Sequence, residues 1–543
     1  MPYTEFFEAG KLLKTGLAIV VAGLMSVSSG SFAGAEEPQR GGTLNMLVKP
    51  EPNTLASYHR SASPVGEIAD KVYDGLLQYD FDLNPQPSLA KSWEVSEDGK
   101  TVTFQLEEGV TFHDGSPFDS SDVKYTIEEV LREHHPRGAI TFKEVTSIDT
   151  PDPYTVVINL EKPAPYMMYA LSGHESPMLS KETFEGTDPT DNPTANKPNG
   201  TGPFKFTEWK KGQYILLDRN ENYWREGKPY LDRIVARFIT DPATRSAAIE
   251  KGEIDYAAFD AIPYVDAERI NAIDGITVTD RGYEMINPMM MMEINLEDEI
   301  MGNAAVRQAI SYALDRQFIV DNIMYGNGKP ASGHLSSNFA ATGIYTTDVR
   351  DYAVPDRIEI ANKLLDDAGF PRGEDGMRFK IIHDALPFGG VWNRLAEYTK
   401  QALAEIGIDV ELRNQDLAAF LKRIYTDYDF QLNATYLFQH ADPVIGVHRL
   451  YQTDQIRKGV LFVNASKFSD PDVDAMLAQA TNENDPDVRK ALYHDVQERL
   501  AEELPILPIF EMKFLTVHKD NVMNAVNNPL GSYSSFDDVW IKQ

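Results

Sequence analysis

The sequence predicts an exported α/β protein with more than one domain, and three observations carry that prediction. A short basic segment leads into an apolar run near the N-terminus and then into small residues, the pattern of an export signal. The chain has 543 residues, more than a single hydrophobic core normally organises. Stretches of period-2 alternation are interleaved with stretches of helical spacing, and the helix expected over residues 395–406 feeds a strand over 408–412, the rhythm of an α/β lobe.

Composition bounds the function. Hydrophobic residues make up 42% and aromatics 10% of the chain, ample for true cores. Acids outnumber bases 83 to 51, a net charge of −32. That balance argues against nucleic acid and anionic membrane surfaces, which need basic patches. It serves solubility first, and attraction of cationic or zwitterionic solutes second. There is no cysteine, hence no disulfide framework, no thiolate metal site and no lipid-anchored cysteine.

Taken in order, the first element is the leader, residues 1–35. Lys11 and Lys14 precede the apolar run 17–27, and Ser31-Phe32-Ala33-Gly34-Ala35 places small residues for cleavage after Ala35. The run is too short for a permanent span. Glu5 and Glu8 offset the lysines, which leaves a downstream start or a retained anchor helix as alternatives. Residues 43–48 then read as a strand entered through Gly41-Gly42, and 68–77 have helical spacing.

Residues 93–118 organise the next part. Val102, Phe104 and Leu106 alternate with Thr101, Thr103 and Gln105, the signature of a half-buried strand. Asp98-Gly99 and Asp114-Gly115 mark turns, and Ser120 or Ser121 is placed to cap a following helix. His113-Asp114-Gly115 reads as a structural corner rather than a ligand or catalytic pair. A strand follows at 155–160, then a Pro-, Asn- and Gly-rich surface loop at 186–203 that ends in Gly200-Thr201-Gly202-Pro203-Phe204. Pro203 removes an amide that a phosphate-binding loop would use, and no GxGxxG follows. A strand is expected at 234–239, and then a helix closed by Gly252.

Met289, Met290, Met291 and Met292 lie in a strand-like segment. Core packing is the plain reading and a pliable ligand-cleft wall the functional one. A Cu(I) thioether site is disfavoured, because consecutive strand residues face opposite ways. Val306, Ile310 and Ala313 share one helical face. Further helices are expected at 358–370, 473–477 and 487–500, and an extended apolar strand at 503–509. Residues 430–451 run from a strand into a polar, aromatic loop, a candidate functional edge. His440 and His448 there are candidates for ligand contact or for a metal complex, against a plain reading as polar surface. No hydrolase, kinase, nucleotide-binding or zinc-protease motif appears.

Several blocks resemble the family 5 extracytoplasmic solute-binding proteins, the peptide- and nickel-binding components of ABC importers. They are Trp93 through Pro117-Phe118; Asn220-Glu221-Asn222-Tyr223-Trp224 with Gly227-Lys228-Pro229; Gly252-Glu253-Ile254-Asp255; and Val306-Arg307-Gln308-Ala309-Ile310 with Ala313-Leu314-Asp315-Arg316. Glu107 stands where the family usually has arginine. The resemblance implies an α/β fold: a two-lobed periplasmic-binding-protein clamshell with an additional domain (cluster C type), its mixed sheets flanked by helices. It implies a discontinuous lobe I (36–75, 216–295 and 516–543), an extra domain II (76–215) and a lobe III (296–515).

By the same resemblance the protein is the periplasmic substrate-binding component of an ABC importer. It captures short peptides, delivers them to an inner-membrane permease powered by cytoplasmic ATPases, and does no chemistry. It acts as a monomer without lipid anchor, nucleic acid, cofactor or metal. Nickel or another metal chelate, an opine and an oligosaccharide are the alternative ligands, and an exported hydrolase is the distant one. In peptide-binding relatives a loop aspartate pairs with the ligand's α-amino group. Alignment on Asp442-Pro443 puts Gln439 at that place, so either Asp442 serves from a shifted loop or the ligand is held without that pair. Tyr436, Phe438, Gln439, His440 and Asp442 are the expected ligand-binding residues.

Overall fold

Alternating apolar residues build two large sheets. The computed structural model describes residues 37–543; the expected leader and its cleavage point after Ala35 lie outside the described residues. Contacts divide the chain after Pro38, and Gln39–Gln543 forms one unit. Thr43–Val48 lies inside the first sheet, seven-stranded, with Arg233–Phe238 and Tyr256–Ala257 parallel to it on either side. Tyr214–Arg219 and Phe204–Lys210 extend one edge of that sheet, and Thr516–Lys519 and Ile276–Thr279 the other.

The second sheet has six strands, in the order Gly328–Pro330, Ile506–Met512, Pro288–Ile294, Leu432–Phe438, Phe379–Asp384, Ile408–Arg413. Its central strands are almost wholly buried, which is why they read as continuous apolar runs. A separate antiparallel sheet of four strands holds Ala90–Val95, Thr101–Leu106, Thr155–Leu160 and Val145–Asp152. There Val102, Phe104 and Leu106 are buried and their alternates are not.

The chain passes between the two large sheets at residues 280–287 and again at 513–515. An aromatic knot binds the two passages. The Phe514 ring lies 5.7 Å from that of Tyr283 and 5.3 Å from that of Phe259. The Tyr283 hydroxyl lies 2.8 Å from Thr516 Oγ1 and accepts from the Phe259 amide.

Local expectations were met with some differences. His113-Asp114-Gly115 is a corner: His113 Nε2 lies 2.9 Å from Gly202 O, and Asp114 accepts from Ser116 N and Asn199 Nδ2. The following helix is capped by Asp119, in a reciprocal box with Asp122, rather than by a serine. Asp119 precedes the serines by one position and offers a charged acceptor to the same amides. The helical spacing at 68–77 gives a helix only over Ser63–Ala69, and Leu77–Tyr79 is a strand. The helix closes at Asp70, whose amide bonds back to Gly66 O, and the chain beyond it runs against the Gly173 backbone at Gly75, leaving 2.3 Å for a Cβ. Gly200-Thr201-Gly202 packs on the Val72 carbonyl, leaving 2.1 Å for a Cβ at Gly200; it is a close-approach turn.

The four methionines alternate as strand geometry requires. Met290 and Met292 enter the main core, and Met289 and Met291 enter a second core with Leu437, Tyr493 and Leu500. All four are fully buried, so they pack two cores, one on each face of the sheet. No helix among the described residues is long and apolar enough to cross a membrane.

Candidate functional site

A cavity of about 380 Å³ opens beside the crossing segments and takes its walls from both large sheets. From the first sheet's side come Lys49, at the end of the strand Thr43–Val48, and Arg245, Asp260 and Tyr264. From the second side come Tyr325, Phe388, Trp392, Arg394 and Tyr436. Met512 and Phe514, at the passage between the sheets, line it as well.

Tyr264, Tyr325, Phe388, Trp392, Tyr436 and Phe514 make the wall aromatic; Tyr436 reaches it from the strand Leu432–Phe438, where residues 436, 438 and 440 project to one side. Tyr436, Phe438 and His440 form a ladder with ring centroids 6.2 and 6.3 Å apart. Trp392 stacks on Tyr436 at 5.7 Å and 24°. Burial, and then the Asp260 charge, push the Tyr436 phenol up to about 12, so it is a neutral donor at physiological pH.

The helix Gly390–Glu405 points its first turn at the cavity. Gly389 sits at its N-cap with φ 69°, and no side chain caps that turn. Lys49 Nζ pairs with Asp260 Oδ2 at 2.6 Å. Arg245 spends its donors on the carbonyls of Ala261, Thr240 and Ile239.

The five expected residues occupy one stretch with distinct surroundings. Tyr436 lines the cavity. Phe438 is half-buried beside it and packs on Phe514 at 6.1 Å. Gln439 turns to the opposite side, fully buried: its amide donates to His334 O at 2.6 Å and its oxygen accepts from Ser336 N at 2.8 Å. His440 is buried with a φ of 56°. Its Nδ1 lies 3.7 Å from Glu175 Oε1, in a tight space shared with Tyr169, His174 and Ile286.

Burial, assisted by Arg137, pulls the His440 pKa well below its ordinary value. Burial alone would raise the Glu175 pKa, but the paired Arg137 guanidinium outweighs it and holds that carboxyl below its ordinary range. Asp442 is buried and accepts from Val444 N at 2.9 Å, at the N-cap of Pro443–Gly446, and from Arg489 Nη2 at 2.8 Å.

His440 and His448 are therefore interior residues, contrary to the plain reading as polar surface. His448 Nε2 lies 2.9 Å from the Tyr493 hydroxyl. The loop folds inward because its polar groups find partners there, which a local sequence pattern does not reveal. Among the described residues no group of three or more His, Cys, Asp or Glu could hold a metal ion.

Sequence reasoning missed Trp392, Phe388, Arg394, Lys49 and Asp260. The available signal was Phe388-Gly389-Gly390-Val391-Trp392: aromatics flanking a glycine pair at a helix start.

The description "bacterial extracellular solute-binding proteins, family 5 Middle" matches residues 84–458. Among curated relatives, the glutathione-binding protein GsiB of Salmonella paratyphi A (strain ATCC 9150 / SARB42) is 26% identical over 516 residues, covering 90% of this chain and 92% of that one. Among solved structures, NikA from Brucella suis in complex with Fe(III)-EDTA is 27% identical at a TM-score of 0.80, over 92% of this chain and all of the other. AgaA from A. tumefacien R10 in complex with agropinic acid is 28% identical at a TM-score of 0.75, over 92% and 99%. The fold is the two-lobed α/β clamshell of such binding proteins, with mixed sheets flanked by helices. The chain belongs to the bacterial extracellular solute-binding proteins of family 5, the solute-binding components of ABC importers.

Proposed function

We propose that the protein works in the periplasm as a monomer without lipid anchor or catalytic activity, capturing short peptides for an inner-membrane permease driven by cytoplasmic ATPases. One observation supports this most: the cavity of about 380 Å³ walled by both large sheets beside the only two passages of described chain between them. Such a site closes when one lobe rotates on the other. The permease then reads the closed shape. The likeness to a glutathione-binding protein supports a small peptide as the solute.

The proposed division is lobe I (36–75, 216–295 and 516–543), domain II (76–215) and lobe III (296–515). Each of the three larger sheets supports the core of one part, with two strands shared across the joins: Pro288–Ile294, at the end of the middle lobe I segment, pairs inside the lobe III sheet, and the hairpin Phe204–Arg219 spans the join of domain II and lobe I. Within the contact strip, Tyr436 and Phe438 present rings to the solute and His440 closes its far end. Gln439 and Asp442 hold the loop in place.

Native mass spectrometry of protein isolated gently from the periplasm tests the reading. A heterogeneous set of short-peptide masses is the expected result. A single non-peptide mass or a metal chelate would overturn the peptide assignment in favour of a ligand like those of NikA or AgaA.

A further inference from the structure

The cleft contradicts the charge of the chain around it. Acids outnumber bases 83 to 51 overall, yet the cavity between the large sheets is lined by three bases, Lys49, Arg245 and Arg394, and one acid, Asp260. Asp260 is already paired with Lys49. Arg394 is exposed and makes no ion pair among the described residues; its guanidinium rests 4.7 Å over the Tyr325 ring. The first turn of the sixteen-residue helix Gly390–Glu405, uncapped by any side chain, adds the positive end of the helix dipole to the same wall.

The apolar part of the cavity is also exposed. Val265, Tyr325 and Phe388 are 57%, 39% and 49% exposed. These three of the nine large exposed hydrophobics among the described residues line this one cavity. Isolated exposed apolar residues need no explanation, but a cluster in a cleft marks a binding surface. Asp260, the one carboxylate in the cavity wall, is taken by Lys49, and on the adjoining loop Asp442 and Glu175 are taken by Arg489 and Arg137.

Resting on the solute-binding reading above, we infer that the solute is an anion with an aromatic or bulky apolar body, its acid group held by Arg394 and its body laid against Phe388, Trp392 and Tyr436. Within the peptide class, this selects solutes that present a carboxylate rather than an amine to the cleft. A charged guanidinium–carboxylate bond in a partly dry cleft supplies orientation as well as affinity.

Three probes decide it, titrated calorimetrically with Trp392 fluorescence as a second readout: N-acetyl-Phe-Gly (an anion), Phe-Gly (a zwitterion) and N-acetyl-Phe-Gly-amide (neutral). The anion is expected to bind at least tenfold more tightly than either of the others. Arg394→Gln is expected to remove that advantage while leaving the neutral probe within twofold. Tighter binding of Phe-Gly than of its acetylated form would overturn the inference and leave the peptide-binding reading standing. So would an anion preference unchanged by Arg394→Gln. Failure of all three probes to bind would overturn the peptide reading, and the inference with it.

Discussion

Asp442→Asn separates a residue that touches solute from one that holds the loop. The change keeps an oxygen for the Val444 amide but removes the charge opposite Arg489. The two side chains are 2% and 10% exposed, with Oδ1 to Nη2 at 2.8 Å. Arg489 also donates to Ala480 O at 2.9 Å and lies 3.4 Å from the Tyr493 hydroxyl. These contacts fix the guanidinium where it is, so it cannot swing into water when its partner is neutralised. Removing one member of a buried pair costs about 3–5 kcal/mol; the retained oxygen puts the expected loss near the lower end, ~3 kcal/mol. The urea m-value of a chain this long exceeds the ~3 kcal/mol/M of small domains, so the midpoint falls by somewhat less than about 1 M. Arg489→Met added to Asp442→Asn should recover most of that loss, because no orphaned charge is left. Equilibrium urea unfolding by circular dichroism measures both variants, and solute affinity is measured in parallel. An unchanged midpoint together with abolished binding would refute the reasoning, since Asp442 would then face solute rather than Arg489.

Three further outcomes are expected. His448 is buried, and burial followed by the Arg489 charge lowers its pKa to about 3, against about 6.5 in an unfolded chain. Its contribution is fully present above about pH 6.5 and declines as pH falls toward 3, by up to ~1.4 kcal/mol per pH unit. His448→Gln should flatten that part of the profile, and urea midpoints at several pH values give the slope; an equally steep slope counts against the assignment. Gly446→Ala places a Cβ 2.2 Å from the Gln439 carbonyl. It should cost ~1–3 kcal/mol, read as a lowered melting temperature, and a neutral result would mean the Gln439 turn sits elsewhere. Trp392→Ala should weaken the co-isolated solute at least tenfold by calorimetry, a loss of ~1.4 kcal/mol or more, with a melting temperature close to the parent's because the ring is only half-buried.

What could be read from the sequence was whatever is set by near neighbours. Val102, Phe104 and Leu106 announced their strand by alternation, and Val306, Ile310 and Ala313 their helix by spacing; all six are buried as that requires. The cleft was harder to read because it joins residues far apart in sequence. Lys49 meets Asp260 across some 210 residues, and Trp392, on a helix, meets Tyr436, on a strand of the second sheet, across more than 40. The histidines failed for the same reason. His440 looks like loop surface until Glu175, contributed by a distant segment, lies against it.

Gln439 carries the most weight in deciding what the cleft can hold. In place of a charged side chain the loop has an amide whose two ends are both consumed, by His334 O and Ser336 N. That satisfies a buried polar group completely, and it turns the side chain away from the rings of Tyr436 and Phe438. Asp442 is consumed just as fully. A loop that spends its polar groups on its own support offers a solute chiefly its aromatic face and its backbone. Orientation of the solute then falls to charges on other elements, and around this cavity those are mostly basic. Substituting Gln439 by Asp would therefore not simply restore an ammonium clamp: the shorter carboxylate loses the amide that donates to the His334 carbonyl, and an acceptor facing that carbonyl in the interior is costly even with the Ser336 amide nearby.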